Sequence, residues 1–172
     1  MFEVGDYIIY GSTGVCRVEK VGSIDLAGVP KGKLYYTLVP VYEKGSKVFT
    51  PTDNGKVAMR PVISKVEASK LINDIKNIEL FWTSDDKRME NEYRESMKKC
   101  DCREYVRIIK TLYLRNQARI EEGKKVTVAD KKYLDKAEEC LYGELAIPLG
   151  IDKAEVEQFI TTRINNIKGN AS

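Results

Sequence analysis

The stretch MRPVISKVEASKLINDI, residues 59–75, is where this chain changes character. Ahead of it lie short β-favouring runs broken by glycine. Within it, Ser64 followed three residues on by Glu67 is the signature of a reciprocal helix cap, and Ala68, Leu71, Ile72 and Ile75 then recur at helical spacing. Eight of the twelve glycines precede residue 61, which suits tight turns between strands and would weaken helices. The expectation is an α+β chain of two modules, residues 1–62 and 63–172: a small SH3-like or Tudor-like β-barrel, then about five helices.

Working back from residue 59, Tyr7–Tyr10 and the alternating Val15–Val21 read as two strands joined by a Gly-Ser-Thr-Gly turn. Leu34–Tyr42 is a third, in which Pro40 suggests an edge or a bulge. Lys47–Thr50 is a fourth, and Val57–Met59 closes the set. Working forward, acids follow three residues after cap residues again at Asp101…Glu104, Thr127…Asp130 and Asp152…Glu155. These predict helices from about Cys102 to Glu121, Val128 to Ala146 and Lys153 to Asn165. Met89, Tyr93 and Met97 mark one more, from Asp86 to Lys99. The tail from about Asn165 is expected to be disordered.

The formal net charge of +3 is too small to mark the whole chain as a nucleic-acid binder, but its distribution is uneven. Residues 87–136 carry 15 Lys and Arg against 9 Asp and Glu, whereas the segment after them is acidic. On the third helix Arg103, Arg107 and Lys110 share a face at i, i+4, i+7, and Arg115 and Arg119 continue along one flank. Lys124 and Lys125 precede the helix capped by Thr127, whose second turn carries Lys131 and Lys132. Lysines beside free N–H groups at a helix start suit phosphate. A solvated charged surface explains the same pattern. Trp82, the single tryptophan, either plugs the gap between barrel and helices or stacks on a base step.

Catalysis finds no support. With no histidine there is no Ser-His or Cys-His pair and no ordinary mixed zinc site, and neither a P-loop nor a GxGxxG after a strand is present. Cys16, Cys100, Cys102 and Cys140 form no CxxC pair and read as reduced thiols. No cofactor, metal or small-molecule substrate is expected. The start carries no secretory signal and no run is long enough for a membrane span, so a cytoplasmic location is expected.

Several segments together resemble the CarD/CdnL/TRCF family of bacterial transcription regulators: MFEVGDYIIYGSTGVCRVE at 1–19, KVFTPTDN at 47–54, MRPVISKVEASKLI at 59–72, IIKTLYLRNQ at 108–117 and DKKYLDKAEECLYGELA at 130–146. The resemblance implies a Tudor-like module that docks on the RNA polymerase β subunit. It further implies a helical module that touches promoter DNA, without sequence specificity, at the upstream edge of the melted bubble and stabilises the open complex. It places polymerase contacts on Ile24, Val48, Phe49 and Thr50, and DNA contacts on Arg94, Arg115 and Lys131. Relatives carry arginine where Ile24 and Phe49 stand, which implies a more apolar interface here. The family's wedging tryptophan sits about four residues before the tyrosine matching Tyr93, whereas Trp82 is eleven before it. The competing reading is an adaptor whose helical module docks a protein instead of DNA.

Overall fold

A computed structural model of the chain describes the backbone of residues 1–170 and the side chains of residues 1–167. It divides into two compact units, Met1–Val62 and Ile63–Ser172.

The first unit is a five-stranded antiparallel sheet of β1 (Tyr7–Tyr10), β2 (Gly14–Gly22), β3 (Tyr35–Pro40), β4 (Val48–Pro51) and β5 (Met59–Pro61), in the order β4-β3-β2-β1-β5. This is the Tudor-like β module expected. Gly11 and Gly14 bracket the β1–β2 turn at φ 46° and 82°, and a Cβ at Gly11 would lie 2.8 Å from Val57 Cγ1. Register sets the core: Ile8 pairs with Cys16 and Val18 with Leu38, and with Tyr36 these side chains meet on one face of the pleat, almost wholly buried. Pro40 marks neither an edge nor a bulge. It ends an interior strand, past the point where pairing with β4 stops at Leu38↔Val48, so no ladder bond is lost to its missing N–H. The irregularity falls in β2 instead, between Val18 and Lys20.

The second unit packs α1 (Lys65–Asn73), α2 (Asp86–Lys98), α3 (Cys102–Glu121), α4 (Val128–Leu149) and α5 (Val156–Asn170) around a core in which Leu71, Phe81, Tyr93, Ile108, Leu112 and Leu145 are buried. The cap at Ser64 is reciprocal: its hydroxyl accepts from Glu67 N–H at 3.1 Å, and Glu67 carboxylate accepts from Ser64 N–H at 2.7 Å. Asp101 and Thr127 also cap their helices, but the acids three residues on turn elsewhere. Glu104 accepts from Ser96 Oγ at 2.6 Å, and Asp130 faces Arg115. At Asp152 the reciprocal cap starts a short 3₁₀ turn, which delays α5 to Val156. The helix continues to Asn170, past the point where disorder is expected from sequence, and residues 171–172 lie outside the described residues.

One carboxylate anchors the start of this unit. Glu144 is fully buried on α4, accepts the Ile63 N–H at 3.2 Å, and takes the Cys102 thiol at 3.0 Å. The Gly143-Glu144-Leu145-Ala146 segment is thus a packing device. None of the four cysteines is in a disulfide. Burial first, with the charge of Glu43, pushes the Cys16 thiol up to about 11, which keeps it protonated and unreactive at neutral pH. No described helix is long and apolar enough to cross a membrane.

Candidate functional site

The basic row on α3 is aligned as its spacing requires, but it does not face solvent freely. Arg103 Nη1 pairs with Asp74 Oδ2 at 2.8 Å, the Arg107 guanidinium lies 3.9 Å from the Phe81 ring centre, and Lys110 Nζ donates to the carbonyls of Ile75 and Ile78 at 2.7 Å each. The segment from Asp74 to Phe81 lies over this face and occupies its charges. Arg107 and Lys110 are therefore structural cations, and a phosphate would have to compete with partners already in place. Arg103, whose side chain is half-exposed, is the most open member of the row, while Arg107 and Lys110 are only partly exposed.

Arg115 is also withdrawn, with a different consequence. Its Nε donates to Asp130 Oδ2 at 2.9 Å and its Nη2 to Asp86, while its side chain is only 19% exposed. Asp86 is in the first turn of α2 and Asp130 in the first turn of α4, so one guanidinium draws two helix N-termini together on the middle of α3. Arg115 holds the Asp86 carboxyl below the usual carboxylate range, chiefly by its hydrogen bond and then by its charge. Beneath it, burial and then the Asp130 charge push the Tyr93 phenol up to about 12.

The cations gathered on these elements differ in how firmly they are held. Lys87 and Arg88 in the first turn of α2, Lys125 ahead of α4 and Lys132 in its second turn are exposed, and none makes an ion pair with a described acid. Lys132 sits 5.7 Å from the Tyr133 ring centre. Lys131 pairs with Asp135 at 2.9 Å and Lys124 with Glu122 at 3.1 Å, but both pairs are exposed. Such pairs contribute about 0–1 kcal/mol and yield readily to a polyanion. Arg119 Nε donates to the Lys125 carbonyl at 3.0 Å at the surface. Arg94, on Glu90 and Asn91, lies eight residues along α2 from Asp86, about 12 Å away along the axis.

Trp82 plugs nothing: it is 87% exposed. The residue before it is fixed. Phe81 is buried, its N–H donates to Thr111 Oγ1 at 3.1 Å, its ring meets Tyr93 edge-on at 5.7 Å, and Arg107 covers its face. Thr111 lies one helical turn before Arg115. A firmly seated Phe81 thus holds out the indole near the gathered helix starts.

In the β unit, β4 is an edge strand, and the pleat separates the expected contacts. Thr50 is buried and accepts from Asn54 Nδ2 at 2.8 Å, and Val48 packs on the core. Phe49 points the other way, 44% exposed, opposite Thr37. There it shares with Ile24 and Leu26 a hollow of about 690 Å³, bordered by Lys20, Lys31 and Lys47.

Residues 2–63 match the model of the CarD-like/TRCF RID domain, and residues 76–161 match the model of the CarD C-terminal domain. This chain belongs to the CarD-like family. CarD-like domains mark a transcription-associated, RNA polymerase-interacting protein, and the family consists of non-enzymatic regulators. Within this CarD-like chain, the structure brings Ile24 and Phe49 to one hollow and turns Val48 and Thr50 to the core. It leaves Lys125, Lys132 and Trp82 accessible, and encloses Arg107, Lys110 and Arg115. Sequence reasoning missed Leu26, which has no periodic neighbour to mark it, and Lys87 and Arg88, which stand beside acids at a helix start. It also missed Asp86 and Asp130, whose role exists only through Arg115. Among the described residues no group of three Asp, Glu or Cys could hold a metal ion.

Proposed function

We propose that this CarD-like chain anchors to the RNA polymerase β subunit through Phe49, Ile24, Leu26 and the open edge of β4, and lays its helical unit along promoter DNA at the upstream fork of the bubble. An edge strand offers unpaired backbone groups to an incoming strand, and the hollow beside it, where Phe49, Ile24 and Leu26 are ringed by lysines and by Glu19 and Asp25, offers side-chain specificity. Lys87, Arg88, Lys125 and Lys132 then meet phosphates, joined by Lys131 and Lys124 when their exposed pairs open. Trp82 stacks where a base step is unstacked. Arg115 acts by position, fixing the two helix starts that carry these cations.

The observation that carries this reading is the exposed indole next in the chain to buried Phe81, four residues before one of two helix N-termini drawn together by one arginine. Anchoring raises the effective concentration of DNA, so weak contacts without sequence specificity suffice. Contacts made only in the melted state shift closed complex to open, and no catalysis is involved. The protein works where polymerase works, in the cytoplasm at the nucleoid.

The anchor is tested by pull-down of the isolated β subunit with Phe49→Ala and Leu26→Ala, both at exposed positions. Weakened capture with unchanged stability is expected, and undiminished capture would remove the anchor from this hollow. The pairing of Arg103, Lys124 and Lys131 with acids favours a second reading, in which the helical unit docks a protein. If phosphates are the target, log K should fall linearly with log salt, and Lys125→Glu/Lys132→Glu should flatten the slope by about 2. A slope unchanged by the substitution would favour the protein partner.

A further inference from the structure

Between α1, α3 and α5 lies a cavity of about 410 Å³ that neither proposed surface uses. Ile72 and Ile75 line it from one side, Leu114 from α3, and Ile164 and Ile167 from α5. Its size falls within the roughly 300–1,000 Å³ typical of small-molecule sites. Among the described residues the charged groups in its wall are Lys76 and Lys110, with no carboxylate.

Lys110 is the informative one. It is half-buried, and two of the three N–H donors of its ammonium go to the neutral carbonyls of Ile75 and Ile78. No acid pairs with it among the described residues, and burial alone holds its affinity for a proton below the usual lysine value. Lys76, in the turn after α1, is exposed and likewise makes no ion pair with a described acid. The acid nearest in sequence, Asp74, is engaged by Asn77 and Arg103. An apolar cavity with two ammonium groups and no counter-ion among the described residues is complementary to an anion carrying a hydrocarbon tail.

We propose that this cavity is a binding site for a medium-chain aliphatic carboxylate, its tail among the isoleucines and its head between Lys110 and Lys76. Burial of each methylene favours the bound state, while the carboxylate supplies Lys110 with the acceptor it lacks. The site is separate from the hollow at Phe49 and from the Arg115 cluster, and its occupancy does not depend on what those surfaces bind.

The test is a titration of the intact protein, with its isoleucine methyl groups labelled, against decanoate, hexanoate and decyltrimethylammonium, followed by methyl NMR. We expect saturable shifts confined to Ile72, Ile75, Ile164 and Ile167 with decanoate. Hexanoate should bind more weakly and the cationic amphiphile should produce no such shifts. Lys76→Glu, an exposed change that leaves the fold intact, should weaken decanoate by about fivefold or more. Lys110→Gln retains a donor for the carbonyls and should weaken it further. If its fold suffers, Leu114→Asp at the mouth gives the same reading. Non-saturating shifts over the whole surface, equal binding of the cationic amphiphile, or decanoate binding indifferent to Lys76→Glu would each overturn the proposal. Methyl shifts at these isoleucines from an acidic helical peptide, with none from decanoate, would overturn it in favour of a protein partner.

Discussion

At the scale of single residues, exposure decides what a cation can do. Arg115 and Lys132 are both basic and both close to the start of α4, yet one is enclosed by two carboxylates and the other stands in solvent. Arg115→Ala should cost about 2–3 kcal/mol in urea unfolding, because Asp130, almost fully buried, loses its partner. Lys132→Ala should change stability by no more than about 0.5 kcal/mol. Equal stability of the two variants would show that Arg115 is not the organising residue. The same network sets an acid limit. The carboxyls of Asp86 and Asp74 titrate below their unfolded range, Asp86 through Arg115 and Asp74 through Asn77 and then Arg103. Below about pH 4 the unfolded chain therefore binds more protons at these groups than the folded one. Their contribution is complete above that pH and disappears as pH falls through the folded values. Asp86→Asn should flatten the decline of stability below about pH 4, measured by denaturant titration across pH. A decline as steep as that of the wild type would contradict the assignment.

At the scale of elements, the sequence was legible wherever the cause is local. Cap residues mark helix starts at Ser64, Asp101 and Thr127 because these side chains satisfy N–H groups two or three residues away, whereas the Asp85 cap of α2 went unread and that helix was marked by the spacing of Met89, Tyr93 and Met97. The glycine turns between strands are legible for the same reason. What escaped is tertiary. The Arg115 pairs span 29 and 15 residues and the Lys110 bonds 35 and 32, distances at which helical spacing carries no information. The i, i+4, i+7 row therefore placed Arg103, Arg107 and Lys110 on one face correctly, without showing that residues 74–81 cover it. Trp82 escaped likewise, since nothing in its neighbourhood of sequence tells that Phe81 is pinned and the indole exposed. Phe81→Ala should cost about 3 kcal/mol in unfolding, and Trp82→Ala next to almost nothing. If Trp82 stacks on DNA as proposed, the ranking reverses there. Loss of one base–aromatic stack of about 1.4 kcal/mol would shorten the open-complex lifetime about tenfold in Trp82→Ala. A Trp82→Ala protein that is as unstable as Phe81→Ala would place the indole in the core.

At the scale of the whole molecule, the proposed function joins a polymerase anchor and a DNA-facing end on one chain. On this proposal neither surface need be strong alone: the hollow at Phe49 is ringed by charged side chains of both signs, and the accessible cations are few and diluted by acids. Their linkage is what makes weak contacts effective, and only the difference in affinity between closed and open promoter states does work on the equilibrium. The measurement that tests this most directly is the lifetime of promoter open complexes formed with polymerase and saturating protein, wild type against Lys125→Glu/Lys132→Glu. The β subunit should be captured equally by both. The account predicts that wild type prolongs the lifetime and that the charge reversal abolishes most of that gain. A charge-reversed protein that still binds the β subunit and prolongs the open complex as well as the wild type would contradict it.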